Sequence, residues 1–248
     1  MDKKLTIVAG GNSGIGLEIA RAFYINGSNV VILGRNSARN KLAIKSIKSS
    51  AKSERKIHSY VCDMSSESKI LETFLKIKKS FGRVDNFINS VGLWRQSPIT
   101  EMTKEFLKKL HDNNFLPVIL VCKVAPIFMK KGSSIVNLSS FAAIMPMSEG
   151  SIYAAYKAAV INFTKSAADE LAQKDIRVNC VTPGVIDTPM TSDNIKKNKS
   201  SLLKPISLKS IGTPQQVAGT VKFLCSGDAS YITGENIVIS GGKYIVQK

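Results

Sequence analysis

A short apolar segment, a glycine-rich turn and an amphipathic helical pattern follow one another at the start of the chain. Residues 5–9 predict a buried strand, and the turn after it reads Gly10-Gly11-Asn12-Ser13-Gly14-Ile15-Gly16. Apolar residues then recur at helical spacing from Ile15 to Phe23. Glycines let the backbone approach a pyrophosphate, and a helix N-terminus attracts its negative charge. This order predicts a dinucleotide-binding turn, although the spacing Gly-x-x-x-Gly-x-Gly differs from the general Gly-x-Gly-x-x-Gly.

The same alternation of apolar segments and helical patterns continues along the chain. Strands are predicted at 5–9, 30–33, 58–62, 84–88, 135–138, 176–181 and 237–239. Residues 103–131 are expected to form one long helix or two, and the polar, lysine-rich residues 189–212 a mobile loop or lid. With no linker, repeat or composition break, we expect one domain over residues 1–248. The expected fold class is α/β, a Rossmann-type doubly wound parallel sheet with helices on both faces.

Polar residues and glycines follow the predicted strands. Asp63 comes after the third strand, Asn89 and Gly92 after the fourth, and Pro183-Gly184 after the sixth. Ligands of parallel sheets bind beyond the carboxyl ends of the strands, so we expect these residues to meet at one edge. Asp63 has two interpretations: it accepts a hydrogen bond from an adenine amino group, or it caps the helix that follows.

Arg35 follows the second predicted strand, where an NAD site usually places an acidic residue on the ribose 2′-hydroxyl. No acidic residue occurs between Ile19 and Ser53. A cation at this position suits a 2′-phosphate, so the sequence favours NADP(H) over NAD(H). A surface arginine is the alternative interpretation of Arg35, but the missing carboxylate argues against NAD independently.

Tyr153 and Lys157 are four residues apart, which places both side chains on one face of a helix. An ammonium beside a phenol favours the phenolate and lowers its pKa towards the range of a general acid or base. Ser140, just after a predicted strand, carries a hydroxyl that can hydrogen-bond a substrate carbonyl. Tyr-x-x-x-Lys alone is common, and taken by itself it is better explained by an ordinary amphipathic helix with an exposed lysine.

Charge and cysteine content bear on partners and on location. The chain has 35 basic and 18 acidic residues, a formal charge of +17. A nucleic-acid or acidic partner is one explanation, but the excess is mostly lysine, so we favour a solvated surface and expect no nucleic acid. The four cysteines form no CxxC pair, so we expect no metal. No apolar run approaches the roughly 18 residues of a membrane span, so we expect a cytoplasmic protein without a membrane partner.

Taken together, the motifs resemble those of the short-chain dehydrogenase/reductase family over nearly the whole chain. The family's cofactor turn appears from Ala9 to Gly16, and its Asn-Asn-Ala-Gly as 89–92. Its serine, Tyr-x-x-x-Lys and Pro-Gly elements appear as Ser140, residues 153–157 and residues 183–184. Ser140 rather than Ser139 has the family's spacing to the tyrosine. Ala9, Ser90-Val91 and Ser240 depart from the usual residues, but none of these replaces a catalytic group.

The resemblance implies a sheet of seven parallel strands and hydride transfer between NADP(H) and a ketone or secondary alcohol. Tyr153 would exchange a proton with the substrate oxygen, and Ser140 would polarise the carbonyl. Lys157 would hold the nicotinamide ribose and lower the pKa of Tyr153. Asn114 would anchor a water relay, with Asn113 as the fallback. The cofactor-binding residues expected in total are Gly10, Asn12, Ser13, Gly14, Ile15, Gly16, Arg35, Asp63, Asn89, Gly92, Tyr153, Lys157, Pro183, Gly184, Ile186 and Thr188.

The resemblance also implies a small carbonyl or alcohol substrate and a homo-oligomer, a tetramer or dimer packed through the tyrosine-bearing helices. A 3-oxoacyl carrier protein reductase is one candidate, because the acyl carrier is acidic and Lys130, Lys131 and Lys174 resemble the family's basic docking positions. A reductase of other small ketones is the second. The alternatives from other classes are a non-catalytic NADP(H)-sensing protein and a nucleic-acid binder.

Overall fold

The computed structural model describes residues 4–51 and 54–243, and residues 1–3, 52–53 and 244–248 of the expected domain lie outside these ranges. Within the described ranges, seven parallel strands form one sheet in the order β3-β2-β1-β4-β5-β6-β7. The strands are β1 Leu5–Ala9, β2 Asn29–Gly34, β3 Ile57–Val61, β4 Val84–Asn89, β5 Met129–Leu138, β6 Ile176–Pro183 and β7 Asn236–Ile239. This confirms the expected Rossmann-type α/β fold.

Eight α-helices connect the strands of the described chain, together with short 3-10 turns. The helices are α1 Gly14–Ile25, α2 Ser37–Ser49, α3 Glu67–Phe81, α4 Lys104–Asn114, α5 Leu116–Val124, α6 Ser151–Ala172, α7 Ser192–Leu203 and α8 Pro214–Leu224. None of these helices combines the length and the apolar character that a membrane crossing requires.

The helices cover both faces of the sheet. Successive residues of a strand point to opposite faces, so Ile7 of β1 packs with α3, α5 and α6, while Val8 packs with α1, α2 and α8. Burial on both faces explains why the strands are nearly continuous apolar runs. Strand β1 lies between β2 and β4, where the strand order reverses direction. The crevice at this reversal, beyond the carboxyl ends of the strands, is where a doubly wound sheet binds its ligand.

Residues 103–131 form two helices and the start of a strand. The break lies at Phe115, whose φ of −124° leaves the helical region, and Pro117 falls in the first turn of α5, where its missing amide is tolerated. Strand β5 begins at Met129 and pairs there with the start of β4. The expectation that Lys130 and Lys131 are helical is therefore wrong, because sheet pairing extends β5 beyond its apolar half.

The segment 189–212 contains a helix instead of the expected loop. Helix α7 has no buried residue and is kinked at Asn198, where φ is −126°. A helix that packs no side chain into the core needs no apolar periodicity, which explains why the sequence pattern did not reveal it. The helix follows Thr188 and Thr191, which lie at the edge of the cleft described next.

Candidate active site

A cleft of about 480 Å³ opens at the carboxyl edge of the sheet, where the strand order reverses. It brings together residues from the ends of most of the strands. Gly16, Asn89 and Asn114 are buried behind its wall. The other fifteen of the eighteen predicted site residues line it: Gly10, Asn12, Ser13, Gly14, Ile15, Arg35, Asp63, Gly92, Ser140, Tyr153, Lys157, Pro183, Gly184, Ile186 and Thr188.

The glycine turn lies between β1 and α1 and has no room for a side chain at Gly10 or Gly16. Gly10 has a φ of +76°, and a Cβ there would lie 2.7 Å from the carbonyl oxygen of Ser90. A Cβ on Gly16 would lie 2.2 Å from the carbonyl oxygen of Gly10. Ser13 is the N-cap of α1, but its side chain makes no capping bond within the described chain, and no acidic residue occupies the first turn. The uncapped amides of α1 therefore fit a phosphate group.

Two arginines line the cleft next to the end of β2. Arg35 follows the strand directly, and Arg39 lies one turn into α2. Asn36 caps α2 by accepting a hydrogen bond of 2.9 Å from the amide of Arg39. Sequence reasoning missed Arg39, although a second arginine four positions after Arg35 was a usable signal. Two guanidinium groups at the end of β2 fit a ribose 2′-phosphate better than a free hydroxyl.

Asp63 lies at the end of β3 and lines the cleft. Its Oδ1 accepts hydrogen bonds of 3.0 and 2.8 Å from the amide and hydroxyl of Ser65. The N-cap of α3 is Ser66, which accepts from the amide of Lys69. Asp63 therefore holds the turn ahead of the cap and still presents a carboxylate to the cleft.

Asn40 connects the glycine turn to the neighbouring strands. It is 1% exposed, and its Oδ1 accepts a hydrogen bond of 2.8 Å from Nδ2 of Asn12. Its own Nδ2 donates to the carbonyl oxygens of Gly34 at 3.0 Å and Tyr60 at 3.3 Å. A Cβ on Gly34 would lie 2.5 Å from Nδ2 of Asn12, so this position leaves room for the bridge. No sequence signal pointed to Asn40, because an asparagine in a helix usually faces solvent.

Asn89, at the end of β4, is buried beside the cleft. Its Oδ1 accepts from the amide of Val91 at 3.4 Å, while its Nδ2 has no hydrogen-bond partner among the described residues. A buried amide donor is normally paired. Together with the open N-terminus of α1 and the two arginines, this unpaired donor fits a nucleotide with phosphates in the cleft.

Ser140, Tyr153 and Lys157 meet at the other end of the cleft. Ser140 follows β5 and starts a 3-10 turn, where its Oγ accepts from the amide of Ala142 at 3.3 Å. Its hydroxyl also hydrogen-bonds the phenol of Tyr153. On α6, Nζ of Lys157 lies 5.8 Å from the ring centre of Tyr153. Ser139 instead donates a buried hydrogen bond of 2.7 Å to the carbonyl of Lys157.

Burial shifts the pKa values of both Lys157 and Tyr153. Lys157 is 3% exposed and its Nζ donates to the carbonyl of Leu138 at 3.0 Å. Burial lowers the pKa of Lys157 to about 8. Burial also raises the pKa of Tyr153, and the hydrogen bond from Ser140 opposes this only in part. The pKa of Tyr153 therefore lies above its ordinary value, because desolvation of the phenolate outweighs the groups that favour it.

Asn114 is 1% exposed, and protein partners take up its whole side chain. Its Oδ1 accepts from the amide of Leu93 at 3.1 Å, and its Nδ2 donates to the carbonyls of Leu93 and Leu110, both at 3.0 Å. Asn113 does line the cleft. Its carbonyl lacks the usual donor four residues on, because Pro117 has no amide hydrogen. A water relay at this helix break would therefore depend on the main chain.

Comparison with known proteins matches the whole described domain. A family model described as enoyl-(acyl carrier protein) reductase matches residues 9–243. The 3-oxoacyl-[acyl-carrier-protein] reductase FabG of Chlamydia muridarum is 35% identical, with 96% of each chain covered. Carbonyl reductase family member 4 of Xenopus laevis is 36% identical, over 96% of this chain and 97% of that protein.

Solved structures match equally broadly. A short-chain dehydrogenase/reductase from Brucella melitensis, described as a glucose/ribitol dehydrogenase, superposes with a TM-score of 0.90 at 33% identity, over 98% of this chain and 97% of that one. A short-chain dehydrogenase from Burkholderia cenocepacia in complex with NADP superposes with a TM-score of 0.88 at 26% identity, with 97% of both chains covered.

Proposed function

This chain belongs to the short-chain dehydrogenase/reductase family of oxidoreductases, and we propose that it transfers a hydride between NADP(H) and a ketone or secondary alcohol. The observation that carries the proposal is the meeting of Ser140, Tyr153 and Lys157 in one cleft with a phosphate-binding turn. A non-catalytic NADP(H) sensor needs no proton donor beside its cofactor, so the complete set favours an enzyme.

In the reduction, the substrate carbonyl oxygen takes the place between the hydroxyls of Ser140 and Tyr153. NADPH, when bound, would supply the hydride, with its two electrons, for the carbonyl carbon. Ser140 donates a hydrogen bond to the oxygen and stabilises its growing negative charge. Tyr153 then gives its phenolic proton to that oxygen, so the product is the alcohol and the tyrosine is left as phenolate.

The pKa shifts of Tyr153 and Lys157 fit a reaction in which the carbonyl is reduced. Burial raises the pKa of Tyr153, which keeps the phenol protonated at neutral pH and ready to donate. Lys157 is a cation below its pKa of about 8 and stabilises the phenolate that remains after proton transfer. Its ammonium has three donors, of which one bonds Leu138. The others would hold the nicotinamide ribose.

The choice of NADP(H) rests on the nucleotide end of the cleft. The open amides at the start of α1 would bind the pyrophosphate, and Arg35 and Arg39 would bind the 2′-phosphate. Ile186 and Thr188, with Pro183-Gly184, would contact the nicotinamide side. A relative of the same fold binds NADP.

A 3-oxoacyl carrier protein reductase is the second candidate, favoured by the description of the FabG relatives. The proposed docking lysines add little to it. Lys130 pairs with Asp85 at 2.7 Å, and Lys130 and Lys131 lie at the amino end of β5, on the opposite edge of the sheet from the cleft. A carrier bound to these lysines and Lys174 would not reach the cleft of the same protomer.

The proposal also covers the oligomeric state of the protein and its location in the cell. Helix α6 exposes Ala155 and Ala158 beside an apolar groove with Met145 and Met147, a surface suited to packing two copies as a dimer or a tetramer. The four cysteines are buried and unpaired, which fits a reducing cytoplasm.

The test is NADPH oxidation by the purified protein over small ketones and 3-oxoacyl thioesters, with NADH in parallel. We expect Tyr153→Phe to lower the rate by about 10²- to 10⁴-fold, the usual contribution of a general acid. Tyr231→Phe, at a fully exposed position, is the matched control and should react like wild type. If Tyr153→Phe is as fast as wild type, proton transfer from this residue is wrong. Equal rates with NADH would contradict the role of the arginines.

A further inference from the structure

Trp94 lies in the loop after β4 and packs against Tyr153, beside the cleft. Its indole makes an edge contact with the ring of Tyr153, with 4.8 Å between the ring centres and 83° between the planes. The far corner of the indole reaches Gly150, where a Cβ would lie only 2.6 Å from Cη2 of Trp94. The same Cβ would lie 2.9 Å from Cγ of Met147. One side chain therefore spans from the loop after β4 to the segment before α6.

Gly150 has a φ of −108°, which any residue adopts without strain. Glycine is needed there for space, because the indole and Met147 fill the volume that a side chain would take. The loop carrying Trp94 and the segment carrying Gly150 are thus in direct contact through the aromatic ring. A substrate group pointing in this direction meets a closed wall beside Tyr153.

Hydrogen bonds hold this wall at both ends. Asn114 holds the main chain of Leu93 from both sides, by its Oδ1 at 3.1 Å and its Nδ2 at 3.0 Å. At the other end of the loop, the amide of Ser97 donates a hydrogen bond of 2.8 Å to the carbonyl of Glu149. Trp94 lies between these two anchored positions of the loop, so the hydrogen bonds on either side hold its indole in place beside Tyr153.

We propose that Trp94 is a specificity-determining residue that restricts the enzyme to compact carbonyl compounds and excludes long-chain 3-oxoacyl thioesters. The inference rests on the proposed reductase function and names its substrate class. The carbonyl must reach the hydroxyls of both Ser140 and Tyr153, and the indole packs on the ring of Tyr153. The substituent on that side of the carbonyl must then be small, because an extended chain collides with the indole.

The test compares two substrates with one head group, the acetoacetyl and 3-oxodecanoyl thioesters of N-acetylcysteamine, at saturating NADPH. We expect wild type to have at least about tenfold higher kcat/KM for the short thioester, within the range in which apolar pockets discriminate by size. Trp94→Ala should raise kcat/KM for the long thioester about tenfold or more. The short thioester and the KM for NADPH should change less than about threefold. Trp94→Leu, which keeps an apolar cover, should give an intermediate ratio and serves if the alanine variant does not fold.

Tyr231→Ala is the matched control, an exposed aromatic residue whose loss should leave the ratio unchanged. An unchanged ratio in both Trp94 variants, or a wild type that already prefers the long thioester, overturns the assignment of Trp94 and leaves the reductase function intact. If wild type reduces neither thioester nor ethyl acetoacetate, the reductase function itself fails. Trp94 is the single tryptophan of the chain. Its emission must therefore change when acetoacetyl thioester binds with NADP⁺, and no change places the indole outside the substrate site.

Discussion

Replacing Lys157 with methionine is expected to stabilise the folded chain at neutral pH while abolishing ketone reduction. The ammonium is 3% exposed, and burial lowers its pKa from 10.5 to about 8. Since a tenfold change in proton affinity corresponds to about 1.4 kcal/mol, keeping this charge buried at pH 7 costs roughly 3 kcal/mol. Methionine has a similar length and no charge. It leaves the carbonyl of Leu138 without its donor, which costs about 1–3 kcal/mol, so the net gain is about 0–2 kcal/mol.

The pH dependence is the sharper prediction. Below pH 8, Lys157 is protonated in both the folded and the unfolded chain, and the full cost is present. Between pH 8 and 10.5 the folded chain has lost this proton while the unfolded chain retains it, so the free energy of unfolding of wild type rises with pH. Above pH 10.5 both are neutral. The advantage of Lys157→Met should therefore shrink by about 2.5 kcal/mol between pH 7 and pH 10.

Urea unfolding from pH 7 to pH 10, followed by Trp94 fluorescence at one protein concentration under reducing conditions, measures this difference. Groups that do not interact with Lys157 titrate alike in both proteins and cancel in the comparison. Cys180, which does interact with Lys157, has a pKa of about 12 and stays protonated in the folded chain over this range. Lys165→Met, an exposed lysine on the same helix, is the control and should show no such trend. A difference between wild type and Lys157→Met that stays constant within about 0.5 kcal/mol over this range would refute the claim that Lys157 is a desolvated cation.

Three further predictions concern the nucleotide end of the cleft. Arg35→Ala and Arg39→Ala should each raise the KM for NADPH about tenfold, as expected for a lost charge-assisted bond, and leave the KM for NADH nearly unchanged in steady-state assays. Asn40→Leu should raise the KM for NADPH while kcat stays the same, because it removes the bond that holds the glycine turn; a fall in kcat alone would contradict this positioning role. Gly10→Ala should lower the free energy of unfolding by at least about 2 kcal/mol in urea, since its φ of +76° and the carbonyl of Ser90 leave no place for a Cβ. If Gly10→Ala has the same free energy of unfolding as wild type, the turn rearranges to accept a Cβ and this steric argument is wrong.

The strands and most helices could be predicted because their signals are local. An apolar run of five residues followed by glycines needs no tertiary information to indicate β1 and its turn. Tyr153 and Lys157 were predicted to lie on one helix for the same reason, and both lie on α6. Helix α7 was not predicted, because a helix without a buried face has no apolar period to detect.

The roles of Asn40 and Trp94 depend on contacts between residues far apart in the chain. Asn40 bonds Asn12, 28 residues away, and Trp94 packs on Tyr153, 59 positions further along. The spacing of residues within one helix or strand does not indicate such long-range contacts. The pKa of Tyr153 could not be predicted from the sequence either, because it depends on how much solvent the whole fold removes from the phenol.

By itself, the sequence determined the α/β class, the phosphate-binding turn, the cation after β2 and the choice of Ser140, Tyr153 and Lys157, since each depends on residue type and short spacing. Only the tertiary structure decided how these groups behave together. It placed Lys157 in a desolvated site, raised the pKa of Tyr153, used the side chain of Asn114 to hold the loop at Leu93, and packed the indole of Trp94 on the ring of Tyr153. The physical reason is that burial and long-range packing are properties of the assembled fold, whereas propensity and periodicity are properties of neighbouring residues.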